Sequence, residues 1–110
     1  MAGLLMVTTD FVAGKTINET LGVARGSTIR TKHVGKDLMA GLRTLVGGEL
    51  KEYSGMLVEA RAQALSRMEE QALKMGADGV VGVRFVTSQI MAGAAELLAY
   101  GTAVTFSDES

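Results

Sequence analysis

Four stretches of the chain have the hydrophobic pattern of β-strands. Residues 4 to 9, LLMVTT, suit a short strand, and residues 16 to 30 suit one extended strand or a bent pair. Residues 80 to 86 are rich in β-branched side chains, and residues 97 to 106 form a further apolar run of strand length. Residues 87 to 96 are then the connection between the last two strands, which is wide for a hairpin. The pattern predicts strands near both ends of the sequence.

Between these strands, apolar residues recur at helical spacing in two regions. The first region, 36 to 46, predicts a short helix that ends at Gly47 and Gly48. The second, 52 to 75, has apolar or small residues at steps of three or four, charged residues between them, and Gly76 at its end. These recurring residues are Tyr53, Leu57, Ala60, Ala64, Met68, Ala72 and Met75. We expect a long amphipathic helix whose narrow, alanine-rich face lies close to whatever it covers.

The order of strands, two helices and strands favours an α+β fold. We predict a mostly antiparallel sheet, with the short and the long helix packed on one face of it. Residues 1–110 suit one domain, with an ordered core from about 4 to 106 and a short polar C-terminal tail. Gly22 and Gly26 are expected to mark bends or bulges in the second strand.

The last two strands carry more apolar surface than one helix can cover. Alternation predicts that one face of residues 80 to 86 presents Val81, Val83 and Phe85, and the other Val80, Gly82, Arg84 and Val86. It likewise separates Leu97, Ala99, Gly101 and Ala103 from Leu98, Tyr100, Thr102, Val104 and Phe106. Neither side of the last strand is polar, so we predict that a closed homo-oligomer or a ligand covers the remaining face. Gly101 permits close approach of a helix or a neighbouring strand.

The composition of the chain argues against several classes of protein. Cysteine is absent, which excludes disulfides, thiolate metal clusters and a thiol nucleophile, and there is one histidine. A net charge of −1 argues against a nucleic-acid-binding protein. The longest apolar region, 90 to 104, is interrupted by Glu96 and Tyr100 and is shorter than the roughly 20 residues of a membrane-spanning helix. The N-terminus makes a poor signal peptide, so a cytoplasmic protein is expected.

Polar residues within or beside the predicted elements are the candidates for a ligand site or an interface. His33 and Lys36 lead into the short helix, whose N-terminus could bind an anion, although a solvated strand end is the simpler interpretation. Glu52 could supply a carboxylate to a hard cation, but it is more simply part of a solvated helix face. Arg84 and Glu96 could form a partly buried ion pair, within a subunit or across an interface. Tyr100 offers a polar group near an interface.

No arrangement of residues typical of an enzyme is present. The sequence has no Ser/His/Asp pattern and no paired carboxylates at catalytic spacing, so catalysis is not expected. No cofactor is indicated.

Three segments together resemble the YbjQ-like family, which carries a heavy-metal-binding label. They are LVGGELKEYSGMLVEARAQAL (45 to 65), MGADGVVGVRF (75 to 85) and AELLAYGTAV (95 to 104), and the resemblance extends from about Thr8 to Phe106. It implies a small α+β subunit similar to dodecin, assembled as a homopentameric ring through sheet edges and added short strands. Biochemical function in that family is largely undefined. Selenium binding through a cysteine, which a related small archaeal protein has, cannot apply to a chain without cysteine.

Two hypotheses of different class follow. The first is a cytoplasmic homo-oligomeric binding or scaffold protein whose ligand, if any, lies at subunit interfaces or in a central channel. The second is a protein that handles a metal or a small anion with oxygen and imidazole ligands, such as Glu52 and His33, from neighbouring subunits.

Overall fold

A computed structural model describes residues 3–31, 51–91 and 94–107 of the chain. Its elements are β1 (Leu5–Met6), β2 (Thr16–Thr31), helix α1 (Lys51–Lys74), β3 (Gly79–Met91) and β4 (Ala94–Ser107). The four strands form one sheet in the order β1-β3-β4-β2. β1 runs parallel to β3, and the other two pairs are antiparallel. The α+β class and the mostly antiparallel sheet are therefore confirmed, while the predicted helix at 36–46 lies outside the described residues.

The expected connection at 87–96 is wrong, because both strands continue through it. Thr87 pairs with Leu97, Ser88 with Glu96 and Gln89 with Ala95. β2 extends equally far, pairing on the other side of β4 as far as Thr31 opposite Ala94. The side chains of residues 87–89 are polar and exposed, so their pattern looks like that of a loop. Backbone pairing, which hydrophobic periodicity does not record, makes these residues strands.

Helix α1 packs its alanine-rich face on the sheet, as predicted. Ala60, Ala64, Met68 and Ala72 are buried. At its C-terminus the N–H of Gly76, at φ 86°, donates to Leu73 O, and the N–H of Ala77 donates to Ala72 O. These two bonds form a Schellman motif, which satisfies the last carbonyls of the helix and confirms that Gly76 ends it.

The two glycines of β2 have different roles. Gly22 lies at a register shift and has φ 131°, so the predicted bulge is confirmed there. Gly26 is in regular register, and the expected bend or bulge is wrong. A Cβ atom on Gly26 would overlap Met68 N and lie 2.5 Å from Ala64 O. Gly26 therefore lets the backbone of α1 rest directly on β2.

A bulge in β3 changes the faces that alternation predicted for this strand. Val81 pairs with Thr102 and Arg84 with Tyr100, so residues 82 and 83 both lie opposite Gly101. Gly82, at φ 65°, supplies the left-handed conformation that such a bulge uses. As a result Val80 and Val83 both join the core under α1, whereas the sequence pattern had separated them.

Gly101 allows this bulge to lie close to β4. A Cβ atom there would lie 2.6 Å from Val80 Cγ1 and 2.9 Å from Val81 O. The expected close approach to a neighbouring strand is confirmed. Because Gly101 is buried on the helix side, it belongs to the core of the subunit and gives no direct evidence for assembly.

Candidate functional site

The side of the sheet turned away from α1 is largely uncovered, and apolar and polar side chains alternate along it. We call this surface the open face, and it extends from Val23 to Ile29 on β2 and across the matching residues of β4 and β3. Val23 is 61% exposed, Ile29 57% and Val86 40%. Leu98 and Tyr100 lie between them and are half-buried. Exposed apolar residues are therefore present on this face, as expected, but they are interspersed with polar residues.

Arg84 and Tyr100, two of the predicted site residues, meet on the open face. Tyr100 of β4 pairs with Arg84 of β3 on one side and with Arg25 of β2 on the other. Directly paired residues project from the same face of a sheet. The three form a line across the sheet, which we call the arginine–tyrosine row.

The guanidinium of Arg84 is held in place by the backbone. Its Nη1 donates to Thr8 O and to Val83 O, each at 2.9 Å. Thr8 belongs to the segment after β1, which follows β3 past its bulge, with Thr9 O accepting from the N–H of Gly82. Arg84 thus connects this segment to β3 while remaining exposed.

The expected ion pair of Arg84 and Glu96 does not form within the subunit. Glu96 pairs with Ser88, four residues along β3 from Arg84. At about 3.3 Å per residue, this separates the two charged residues by roughly 13 Å along the sheet. The half-buried side chain of Glu96 has no hydrogen-bond partner in the part of the chain that the structure describes. An ion pair across a subunit interface stays a prediction.

The remaining site candidates are outside what the structure describes. His33 and Lys36 fall in the undescribed stretch, and Glu52 lies in the first turn of α1, where its side chain is not described. Within residues 3–31, 51–91 and 94–107, no group of three His, Cys, Asp or Glu residues could hold a metal ion. Metal binding through His33 and Glu52 stays a prediction.

Side chains of α1 occupy the outer edge of β2. Gln71 Oε1 accepts the N–H of Arg25 at 2.7 Å, and Arg67 Nη1 donates to Ser27 O at 2.7 Å. An edge strand offers such unpaired groups to other chains, so these contacts protect the middle of this edge. The sequence analysis missed this role, although Arg67 and Gln71 stand one helical turn apart beside the alanine stripe.

The outer edge of β3 is protected along only part of its length. The segment after β1 bonds to β3 at Val80, Gly82 and Val83. From Phe85 to Met91, no strand among the described residues pairs with this edge. Phe85 is 41% exposed beside Val86. We call residues 85–91 the open edge of β3.

None of the helices that the structure describes has the length and hydropathy needed to cross a bilayer.

Comparison with known proteins identifies relatives over nearly the whole chain. Residues 4–107 match a protein-family model described as "Putative heavy-metal-binding". A UPF0145 protein of Methanosarcina acetivorans is 67% identical over 101 residues, covering 92% of this chain and 95% of the relative. A UPF0145 protein of Clostridium novyi is 56% identical, covering 92% and 97%. Neither the description of the family nor these names specify a reaction.

A solved structure has a similar fold. It is the crystal structure of a protein of unknown function of the DUF74 family from Pediococcus pentosaceus, with a TM-score of 0.63. The match covers 94% of this chain and 98% of the other, at 17% sequence identity. At that identity the similarity concerns the fold alone.

Proposed function

The chain belongs to the UPF0145, or YbjQ-like, family, and from this premise we propose that it is a cytoplasmic homo-oligomeric binding or scaffold protein. The proposed assembly is the homopentameric ring of dodecin-like subunits that the family resemblance implies. Any ligand is held at subunit interfaces or in the central channel.

The observation that carries this proposal is the sheet of the described residues, which is longer than the helix that covers it. β2 has 16 residues and β4 has 14, at about 3.3 Å per residue, whereas α1 has 24 residues at about 1.5 Å per residue. On the other face of the sheet, Val23 is 61% exposed and Ile29 57%. A long sheet with one covered face and an open edge is better suited to a subunit than to a monomer.

The open edge of β3 is the surface best suited to a neighbouring subunit. Its backbone groups can continue the sheet into another chain, and Phe85 and Val86 add exposed apolar side chains beside them. The edge of β2 is protected by Arg67 and Gln71, so it is not equivalent to the edge of β3. Contacts between unlike surfaces are head-to-tail, and they close into a ring when the rotation between subunits permits.

A charged substitution in the open edge tests this assembly. Val86→Lys, a change at a side chain that is exposed in the single chain, is expected to shift the oligomer to smaller species in light scattering after gel filtration. Leu73→Lys is the matched control, because Leu73 is also an exposed apolar residue but lies on α1. If Val86→Lys keeps the wild-type mass at micromolar concentration, the open edge is not the contact.

The family description supports a second proposal, a protein that handles a metal or a small anion. Without cysteine, a metal would need oxygen and imidazole ligands, such as Glu52 and His33 from neighbouring subunits. Elemental analysis of untagged protein is expected to find stoichiometric metal that is lost in His33→Ala. Metal-free wild-type protein, after growth with the metal supplied, would count against this proposal.

A further inference from the structure

We propose that the arginine–tyrosine row binds a small organic anion, with its acidic group between Arg25 and Arg84 and its flat apolar body on the open face. The ligand class is an aromatic or similarly flat phosphate ester or carboxylate. All three residues of the row belong to one subunit, so the site is complete in each chain whether or not its open face lines the central channel. It goes beyond the proposed assembly and can fail independently of it.

The spacing of the row suits an anion held from two sides. Neighbouring strands lie about 4.8 Å apart, so the Cα atoms of Arg25 and Arg84 are about 10 Å apart, with Tyr100 between them. An extended arginine side chain is longer than half this distance. The Arg25 guanidinium can therefore extend across Tyr100 to a phosphate or carboxylate that lies between Tyr100 and the Arg84 guanidinium, which Thr8 O and Val83 O hold in place.

The charge of the row is not neutralised by the subunit. No carboxylate in the described residues forms an ion pair with Arg25 or Arg84, and Glu96 lies four residues away from Tyr100 along β4. Two arginines on either side of Tyr100, with no carboxylate paired to them, form a positively charged surface that attracts an anion.

Arg84 is already oriented for binding. Nη1 uses its two N–H groups on Thr8 O and Val83 O, which fixes the plane of the guanidinium. A guanidinium has five N–H groups, so those of Nε and Nη2 remain for a ligand. A donor held in one geometry before binding loses less conformational entropy when the ligand arrives.

The surface beside the row accounts for the apolar part of the ligand. Leu98 and Val86 adjoin the row on one side, and Val23 and Thr102 adjoin it on the other. The Tyr100 ring is half-buried, and its hydroxyl has no hydrogen-bond partner among the described residues. A flat apolar body can cover these side chains while the hydroxyl donates to the acidic group.

Calorimetry on the full-length oligomer tests the proposal with four probes: phenyl phosphate, benzoate, inorganic phosphate and benzyl alcohol. We expect binding of phenyl phosphate or benzoate, with inorganic phosphate at least tenfold weaker and no binding of benzyl alcohol. The tighter of the two aromatic anions tells whether the natural ligand is a phosphate ester or a carboxylate. Failure of both to bind at millimolar concentration would overturn the proposal.

Variants locate the site. Arg25→Gln is expected to weaken binding at least tenfold without unfolding the protein, because its side chain is exposed and forms no hydrogen bond or ion pair with the described residues. Arg84→Gln is expected to do the same, but it also removes the bonds to Thr8 and Val83, so Arg25→Gln is the decisive variant. Arg61→Gln, an exposed arginine of α1, is the control and is expected to bind like the wild type.

Native mass spectrometry of Arg25→Gln separates this proposal from the proposed assembly. An unchanged oligomer with weakened binding supports an anion site. Binding that is unaffected by Arg25→Gln would overturn the proposed site. Dissociation of the oligomer in Arg25→Gln would also overturn it, by showing that the row contacts another subunit.

Discussion

On the side of the sheet that faces α1, the paired strands carry glycine, alanine and small branched residues, which pack closely against the helix. On the open face, the same strands carry valine, isoleucine, tyrosine and arginine that are exposed or half-buried. Each β-strand contributes alternate residues to both sides, so the difference is imposed within single strands. The helix side folds the subunit, and the open face and the open edge of β3 are what the subunit offers to other molecules.

Substitutions at two neighbouring residues of β2, one on each side of the sheet, are expected to differ most in their effect on the free energy of unfolding. Gly26→Val places side-chain atoms where the backbone of α1 lies, at Met68 and Ala64, so the helix must move. We expect a loss of about 3 kcal/mol or more in the free energy of unfolding. Ser27→Val, the next residue, points to the open face, and a change within about 0.5 kcal/mol is expected. Chemical denaturation at one fixed protein concentration measures both, and equal losses would contradict the comparison.

A smaller loss is expected where β3 approaches β4. Gly101→Ala would bring a methyl group within 2.6 Å of Val80 Cγ1 and 2.9 Å of Val81 O. Because these overlaps are smaller than those at Gly26 and only one of them involves the backbone, we expect a cost of about 1–3 kcal/mol. Thermal unfolding should show a lower Tm, while Thr102→Val on the open face should leave Tm nearly unchanged. An unaltered Tm for Gly101→Ala would mean that the bulge adapts freely.

Removal of a side chain that protects the edge of β2 is expected to lower the free energy of unfolding by less than Gly101→Ala does. Gln71→Ala leaves the N–H of Arg25 without its acceptor and should lower the free energy of unfolding by about 0.5–1.5 kcal/mol. The exposed neighbour Glu70 provides the control variant, Glu70→Ala. Hydrogen exchange should also become faster at the amide of Arg25 in Gln71→Ala only. If exchange there is unchanged, the contact with Gln71 does not protect this edge.

The smallest effect is expected on the open face itself. Ile29→Ser changes an exposed side chain, so the free energy of unfolding should change by no more than about 0.5 kcal/mol. The oligomer should keep its mass, because the proposed contacts use the open edge of β3. A loss of several kcal/mol, or dissociation, would show that another subunit covers the open face. The open face would then be a buried surface, like the helix side, and not an exposed one.

Local patterns in the sequence were sufficient for elements whose signals are local. The long helix was expected at 52–75 and is found at Lys51–Lys74, because its alanine spacing and the glycine at its end are properties of neighbouring residues. Gly22 was expected to mark a bend or a bulge in its strand, and it lies at a bulge. The resemblance to the YbjQ-like family was also found from three segments of the sequence, and the family match over residues 4–107 confirms it.

Features that depend on distant residues were predicted less well. Gly26 was taken for a bend because the sequence does not tell which helix lies above it. One extra residue in β3 at Gly82 moved Val80 and Val83 to the same side, which strict alternation could not foresee. The ion pair of Arg84 and Glu96 does not form within the subunit, because the hydrophobic pattern of two strands does not give their register. Arg25 joined Arg84 and Tyr100 only through the register of three strands.

The mass of the untagged wild-type protein in native mass spectrometry, measured over a dilution series, tests the central claim most directly. The long sheet and the open edge of β3 predict a closed assembly, and a ring of five 11.5 kDa chains would give about 58 kDa at micromolar concentration. A mass of 11.5 kDa at that concentration would contradict the claim that this chain is built as a subunit.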